Sequence, residues 1–153
     1  MRECQIIVFE LNNGKFGVDA LNVMEIETCS SIITAEDMPS LIKGTIDLRG
    51  ESVPIVSLNK RFDLCNDNDE NAKSIIVTRI GSETVGFAVN QILGLVKPEE
   101  KDIDPAPQII VRAGIKYISG IIKLEDELVS IIDFNALLSE NEINSMKENS
   151  ATR

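Results

Sequence analysis

Residues 42–58 read I-K-G-T-I-D-L-R-G-E-S-V-P-I-V-S-L, and residues 118–134 repeat this pattern without a gap as I-S-G-I-I-K-L-E-D-E-L-V-S-I-I-D-F. Seven of the 17 positions are identical, and all but one of these carry an aliphatic residue or glycine. Further back, F-G-V-D (16–19) is matched by F-A-V-N (87–90), each after a short apolar run and a turn. Because such self-similarity indicates a repeated structural unit, the chain is predicted to consist of two similar halves.

The pattern within each half is typical of a mainly β fold. Short Val- and Ile-rich runs alternate with glycine-containing turns, which predicts a hairpin, a short bridge and a second hairpin in each half. In the first half, Ala20–Glu25 is predicted as a helical turn with Asp19 as its N-cap, and Ile26–Thr34 as the next strand. Other helical segments are predicted at Pro39–Gly44, at Asn59–Leu64 and from about Asn135.

The composition limits the classes of partner and compartment. The chain has 153 residues and 25 acidic against 15 basic side chains, so its net charge of −10 makes nucleic acid and anionic membranes poor partners. No apolar run approaches the ~20 residues of a membrane span, and no targeting segment precedes the first strand. A cytoplasmic protein without direct membrane insertion is therefore predicted. Its length suits one compact domain or two small, mutually supporting units.

Few residues suit catalysis or metal binding. Histidine is absent, which removes the commonest general base and zinc ligand, and the three cysteines match neither a disulfide framework nor a zinc pattern. Carboxylates at the hairpin tips, Asp47 with Glu51 or Glu125 with its neighbours, could form an acid pair, but such positions usually face water. The acidic run 98–107 has no glycine and is predicted to be a solvated loop, not a calcium site. We therefore predict a binding module with no catalytic residue, metal or cofactor.

Arg49 is the most informative charged residue because its counterpart in the second copy is Glu125. The repeat keeps its scaffold but reverses the charge at this hairpin tip. One interpretation is an exposed arginine that contributes little to stability. The other is a planar, multi-donor anchor for a carboxylate or carbonyl group of a partner. Spacing alone favours the first.

An apolar set forms the second candidate. Val23 and Ile26 occupy the stretch equivalent to Ile92 and Leu95 in the second half. These side chains could simply be buried core. If the two halves pack side by side, they could instead line a groove suited to an amphipathic helix, with Glu25 at its rim.

These residues resemble the CheW family of chemotaxis coupling proteins. The resemblance rests on F-G-V-D and V-M-E-I (16–19 and 23–26), on the whole of 42–58, and on V-G-F-A-V-N-Q-I-L-G-L-V (85–96). It also includes D-I-D-P-A-P (102–107) and Y-I-S-G-I-I-K-L (117–124). The motifs follow in order and cover the chain from about residue 5 to residue 138.

The resemblance implies a mainly β fold built from two SH3-like five-stranded β-barrels. A CheW-like domain would span residues 1–139, with the first barrel at about 14–64 and the second at about 74–133. The N-terminal strand and a C-terminal helix would pack across the barrels. The acidic stretch 66–73 would form a linker between them, and residues 140–153 a polar tail.

The family also implies a role and a set of contacts. Its members are non-catalytic adaptors that tie the histidine kinase CheA, through its regulatory domain, to the cytoplasmic tip of chemoreceptors. This favours the anchoring interpretation of Arg49. Kinase contact would fall on Lys43, Gly44 and Gly120, although these glycines could equally serve a backbone of positive φ. Receptor contact would fall on Val23, Glu25, Ile26, Arg49, Ile92 and Leu95.

The chain departs from the family pattern at three positions. The family often has aspartate where this chain has Ser57 and Asn90, and an acidic residue where it has Gly94. The change at Gly94 implies a more apolar receptor contact by the second half. Two alternatives stay open: the coupling domain of a larger CheV-like adaptor, and a small carboxylate-based hydrolase or ligand-binding β-barrel.

Overall fold

The computed structural model describes residues 4–34, 41–65, 69–105, 116–124 and 126–138. These ranges are mainly β, as predicted. The one α-helix in them, α1, is a single turn at Leu58–Arg61, and four 3-10 turns lie at Ala20–Asn22, Cys29–Ser31, Glu100–Asp102 and Phe134–Ala136. The strands are β1 Ile6–Leu11, β2 Gly14–Asp19, β3 Val23–Thr28, β4 Ile42–Leu48, β5 Glu51–Ser57, β6 Ser74–Ile80, β7 Glu83–Val89, β8 Gln91–Val96, β9 Ile103–Pro105, β10 Ile118–Leu124 and β11 Glu127–Ile132.

The strands form two sheets with the same internal plan. One has the order β8-β1-β2-β11-β10-β9, and the other has the order β3-β6-β7-β5-β4. The repeated stretches form the hairpins β4–β5 and β10–β11. Each hairpin joins its sheet through a parallel pair, β5 with β7 and β11 with β2, while the other strand pairs are antiparallel. In the sheet that contains β4, a bridge between Ile33 and Thr45 continues the pairing beyond β4. In the other sheet, β9 holds the equivalent place beyond β10.

The two halves of the chain exchange strands. Strand β3 leaves the hairpin β1–β2 and pairs with β6, and β8 leaves the hairpin β6–β7 and pairs with β1. Each sheet therefore contains strands from both halves, and sheet membership does not follow the predicted intervals 14–64 and 74–133. The strand pairing of the described residues leaves both sheets open, so closure into SH3-like barrels stays a prediction.

Three apolar clusters hold the sheets together. Successive side chains of a strand point to opposite faces of the sheet and therefore join different clusters. In β6, Ile75 packs within its own sheet, whereas Ile76 faces the other sheet. A smaller cluster lies within the first sheet. Phe134 connects the sheets, since its ring lies 4.6 Å from that of Phe87 and 6.2 Å from that of Phe9. The interface between the sheets is thus a true core.

The helical predictions are confirmed only in part. Asp19 caps a turn as predicted, since its side chain accepts a hydrogen bond from the Leu21 amide at 3.0 Å. The turn ends at Asn22, because Val23–Thr28 pairs with β6 as a strand. This strand ends at Thr28, whereas the predicted strand continued to Thr34. Residues 42–44 belong to β4 and not to a helical turn, while Pro39 lies outside the described residues. A 3-10 turn at Phe134–Ala136 stands where the C-terminal helix was predicted to begin, and residues 139–153 lie outside the described ranges.

Candidate functional site

Strands β3 and β8 hold equivalent edge positions in the two sheets. Each contains a β-bulge at the same place in the repeat, at Met24 in β3 and at Leu93 in β8. A bulge leaves one residue unpaired and re-aims its side chain. Met24 and Leu93 are 47% and 41% exposed. Sequence reasoning missed both residues, although the alignment that pairs Val23 with Ile92 also pairs Met24 with Leu93.

The predicted apolar set divides into buried and exposed members. Val23 and Ile92 are partly buried and pack against the core between the sheets. Ile26 and Leu95 are 44% and 53% exposed. The core interpretation therefore suits the first pair, and the surface interpretation suits the second. Together with Met24 and Leu93, the exposed pair gives each edge strand an apolar outer face.

Arg49 lies in a two-residue turn between β4 and β5. Leu48 pairs with Glu51, and the two turn residues, Arg49 and Gly50, have φ angles of 54° and 84°. Positive φ at both positions is the signature of a type I′ turn, in which the first residue is ordinarily Asn, Asp or Gly. The Gly50 amide also donates to Asp47 Oδ1 at 3.0 Å. This backbone presents the Arg49 side chain to solvent, where it is 81% exposed.

The turn brings Arg49 to Glu25, so two of the predicted receptor contacts are neighbours. Arg49 Nη2 donates to Glu25 Oε2 at 3.2 Å, and the Glu25 side chain is mostly buried. A hydrogen bond to Glu25, some desolvation and repulsion by that carboxylate raise the pKa of Glu27 above its usual value, while Arg49 opposes the shift. The guanidinium thus adjoins two interacting carboxylates and keeps donors available for a partner.

The predicted kinase contacts face the chain's own backbone. A Cβ on Gly44, whose φ is 154°, would lie 2.2 Å from the Ile33 carbonyl oxygen. A Cβ on Gly120 would lie 3.0 Å from the Asp104 carbonyl oxygen. Both glycines therefore permit the close approach of the segment that continues each sheet. Lys43 is also tied inward, since its Nζ donates to the Asp69 carbonyl oxygen at 3.0 Å.

A partly buried network of polar side chains was not predicted. Asn59 Nδ2 donates to Asp69 Oδ1 at 2.8 Å and to Asn90 Oδ1 at 2.7 Å, and Ser57 Oγ donates to Asp69 Oδ2 at 2.6 Å. Asn90 Nδ2 donates to Asn12 Oδ1 at 2.9 Å, and the Asn12 amide donates to Asn59 Oδ1 at 3.0 Å. We call these five residues the Asn59 network. It contains both Ser57 and Asn90, the positions at which the family often has aspartate. The carboxylate of the network belongs to Asp69, which lies in the predicted linker 66–73.

An open hollow of about 620 Å³ lies beside the network. Its wall includes the carboxamides of Asn12, Asn71 and Asn90, and the ion pair between Lys15 and Glu127. Within the described ranges, no buried side-chain nitrogen or oxygen lacks a hydrogen-bond partner. The polar groups here are thus engaged with one another.

The described residues contain no group of three or more His, Cys, Asp or Glu side chains arranged to hold a metal ion. Two hairpin-tip carboxylates considered for acid catalysis have other partners, since Asp47 caps its turn and Glu127 pairs with Lys15. Burial raises the pKa of the Cys29 thiol, so this cysteine is a poorer nucleophile than an ordinary one. No helix in these ranges is long and apolar enough to cross a membrane.

Comparison with known proteins gives one consistent result. The sequence model of the CheW-like domain matches residues 5–142. A chemotaxis protein CheW from Klebsiella aerogenes is 29% identical over 139 residues, covering 91% of this chain and 84% of the relative. One from Treponema pallidum is 25% identical over 146 residues, covering 93% and 86%. The crystal structure of the scaffolding protein TtCheW from Thermoanaerobacter tengcongensis superposes with a TM-score of 0.76 at 27% identity, covering 92% of this chain and 96% of that one.

Proposed function

The chain belongs to the CheW-like domain family, and from that premise we propose that it is a non-catalytic chemotaxis adaptor that couples chemoreceptors to the histidine kinase CheA. The observation that carries this proposal is the pairing of Arg49 with Glu25 beside the exposed apolar face of β3, a face that β8 repeats on the edge of the other sheet. A helix of mixed apolar and polar character finds both kinds of contact there. The curated relatives named for chemotaxis and the scaffolding structure support the same role.

We assign receptor binding to the two edge strands and the Arg49 turn. Val23 and Ile92 support the surface from the core side, and Ile26 and Leu95 supply exposed apolar area. Arg49 supplies donors for a carboxylate or a helix C-terminal carbonyl, and Glu25 holds the guanidinium in place. A groove between closed SH3-like barrels would bring the two strands to one helical hairpin, the cytoplasmic tip of the receptor.

We assign kinase binding to the sheet ends that contain Lys43, Gly44 and Gly120. The glycines let the terminal segments of each sheet lie close to the hairpins, which leaves a flat edge for a similarly folded regulatory domain. Each contact would be modest, and many adaptors in one array would supply strength by multivalency. The corresponding location is cytoplasmic, at membrane receptor arrays.

The test is binding of the purified receptor tip and the purified CheA regulatory domain, each measured separately by calorimetry. We expect Arg49→Asp and Ile26→Asp to weaken receptor-tip binding by about tenfold or more, since the first removes the guanidinium donors and the second places a charge in the exposed apolar face of β3. Kinase binding should be retained. Binding of the unaltered chain to neither partner would refute the proposal.

Lys101→Asp is the matched control for Arg49→Asp. Lys101 is 77% exposed, close to the 81% of Arg49, and pairs with Glu99 at 3.3 Å, so the same charge reversal is made at a similarly exposed cation of another ion pair. Receptor binding should survive this change. Equal losses for both variants would indicate a general charge effect and would remove Arg49 from the proposed site.

A further inference from the structure

We propose that the Asn59 network couples the two binding surfaces, so that kinase binding near Lys43 changes the affinity of strand β8 for the receptor tip. This inference rests on the proposed function, because it needs both partners. It assigns a positioning role to Asn59, Asp69 and Asn90, which lie between the two surfaces.

A continuous path of hydrogen bonds joins the surfaces. Lys43 Nζ donates to the Asp69 carbonyl oxygen at 3.0 Å, and the Asp69 carboxylate accepts from Asn59 Nδ2 at 2.8 Å. The same Asn59 amide group donates to Asn90 Oδ1 at 2.7 Å. Coupling between distant sites is carried by contiguous packing and hydrogen-bond networks of this kind.

The receptor end of the path positions β8 directly. Asn90 immediately precedes Gln91, the first residue of β8, and the Asn90 amide donates to the Glu10 carbonyl oxygen at 2.9 Å. Its side chain donates to Asn12 Oδ1 at 2.9 Å. Asn90 therefore anchors the start of β8 through its backbone to β1 and through its side chain to the turn that follows β1. A shift of this residue would move the exposed leucines that follow it.

The kinase end of the path can respond to a partner. A kinase group that engages the Lys43 ammonium would compete with its bond to the Asp69 carbonyl. Asp69 has a φ of 50°, a left-handed conformation that costs free energy in a residue other than glycine. The Ala72 amide also donates to this carbonyl, at 3.2 Å, so loss of the Lys43 bond would loosen the Asp69 backbone without freeing it, and the carboxylate would move with it.

Burial makes the network respond as a unit. Ser57 and Asn59 are fully buried and Asp69 is only 4% exposed, so water cannot easily replace a broken bond among these three, whereas Asn90 is partly buried and Asn12 is exposed. An unpaired buried polar group is costly, and bonds in a low-dielectric interior reinforce one another. Movement of one member therefore favours movement of the others.

The test is the affinity for the receptor tip measured without and with saturating CheA regulatory domain. We expect the two affinities of the unaltered chain to differ by about fivefold or more, which is the lower range of allosteric coupling. The reciprocal titration must give the same factor. Amides of β8 should also change their hydrogen-exchange rates when the regulatory domain binds.

Three alanine variants separate the network from its surroundings. Asn90→Ala and Asn59→Ala break the path and should bring the coupling factor to about one, whatever change either variant causes in the separate affinity for the receptor tip. Asn90 is only partly buried, so its variant remains useful if Asn59→Ala fails to fold. Asn71→Ala is the matched control, because Asn71 is exposed and contacts the network through a long hydrogen bond to Asn12 of 3.5 Å. This variant should keep the coupling factor of the unaltered chain.

The outcomes distinguish this inference from the proposed function. If the unaltered chain binds both partners but its coupling factor is one, the coupling is overturned and the adaptor role stays intact. Coupling that survives both Asn90→Ala and Asn59→Ala overturns the network as its carrier. Failure of the unaltered chain to bind either partner refutes the adaptor role and, with it, this inference.

Discussion

Arg49 shows how a single residue can serve a contact at the expense of its local backbone. The type I′ turn requires positive φ at two successive positions, and an arginine at φ 54° is less suited to it than asparagine. The exposed pair with Glu25 contributes little to stability in return. An arginine retained in such a turn is therefore better explained by what its guanidinium binds than by folding.

Arg49→Asn should separate folding from binding. We expect the free energy of unfolding to rise by up to about 1 kcal/mol, because Asn-Gly is the preferred type I′ pair. Receptor-tip binding should fall, because the guanidinium is lost. Urea unfolding and calorimetry measure the two effects. A variant that is less stable and binds normally would contradict both parts of the argument.

Gly44 offers a residue-level test of close backbone approach. Gly44→Ala should lower the free energy of unfolding by about 2–3 kcal/mol, because its Cβ would collide with a backbone oxygen that cannot move aside cheaply. Gly14→Ala is the matched control, since Gly14 has a φ of 152° but nothing within 4 Å of the added Cβ. The control carries the same backbone strain without the collision. Equal losses of unfolding free energy in the two variants would show that the positive φ, and not the collision, causes the whole effect.

At the scale of elements, the paired bulges of β3 and β8 explain why the sequence predicted only part of the site. The repeat and the alternation predicted the hairpins β4–β5 and β10–β11, because their apolar period and turns are local signals, but residues 42–44 of β4 were predicted as part of a helical turn. A bulge has no such signal, so the unpaired positions of Met24 and Leu93 were not predicted, although Met24 lies with Ile26 on the exposed face of an alternating strand. The start of the strand at Val23 was also missed, because its pairing with β6 depends on residues 46 to 55 positions away in the sequence.

The bulge in β8 predicts a specific effect on binding. Leu93→Lys should weaken receptor-tip binding by about tenfold, because it places a charge in the exposed apolar face of β8. It should change the free energy of unfolding by less than about 0.5 kcal/mol, as is usual for surface substitutions. Leu128→Lys is the control, since Leu128 is 63% exposed on β11 outside the proposed surface. Weakening by both variants would indicate that β8 is not the contact.

At the scale of the whole molecule, the exchange of β3 and β8 makes the two halves depend on each other. A cut in the stretch 66–68 would separate β1–β5 from β6–β11. The N-terminal fragment would lack β6 and β7, the partners of β3 and β5, and the C-terminal fragment would lack β1 and β2, the partners of β8 and β11. The core between the sheets also draws on both fragments. Neither half therefore contains a complete sheet.

We expect the two fragments to be unfolded separately and to form a folded 1:1 complex when mixed. Each unpaired edge would otherwise expose backbone donors and apolar side chains, which a fragment of about half the chain cannot bury alone. Circular dichroism of each fragment and of the mixture, with the mass of the complex from light scattering, measures this. The repeat provides the contrary outcome, because β1–β2 could in principle take the place of β6–β7 beside β3 and β5. A fragment that folds alone, as a monomer or homodimer, would show that the exchange between halves is not required for stability.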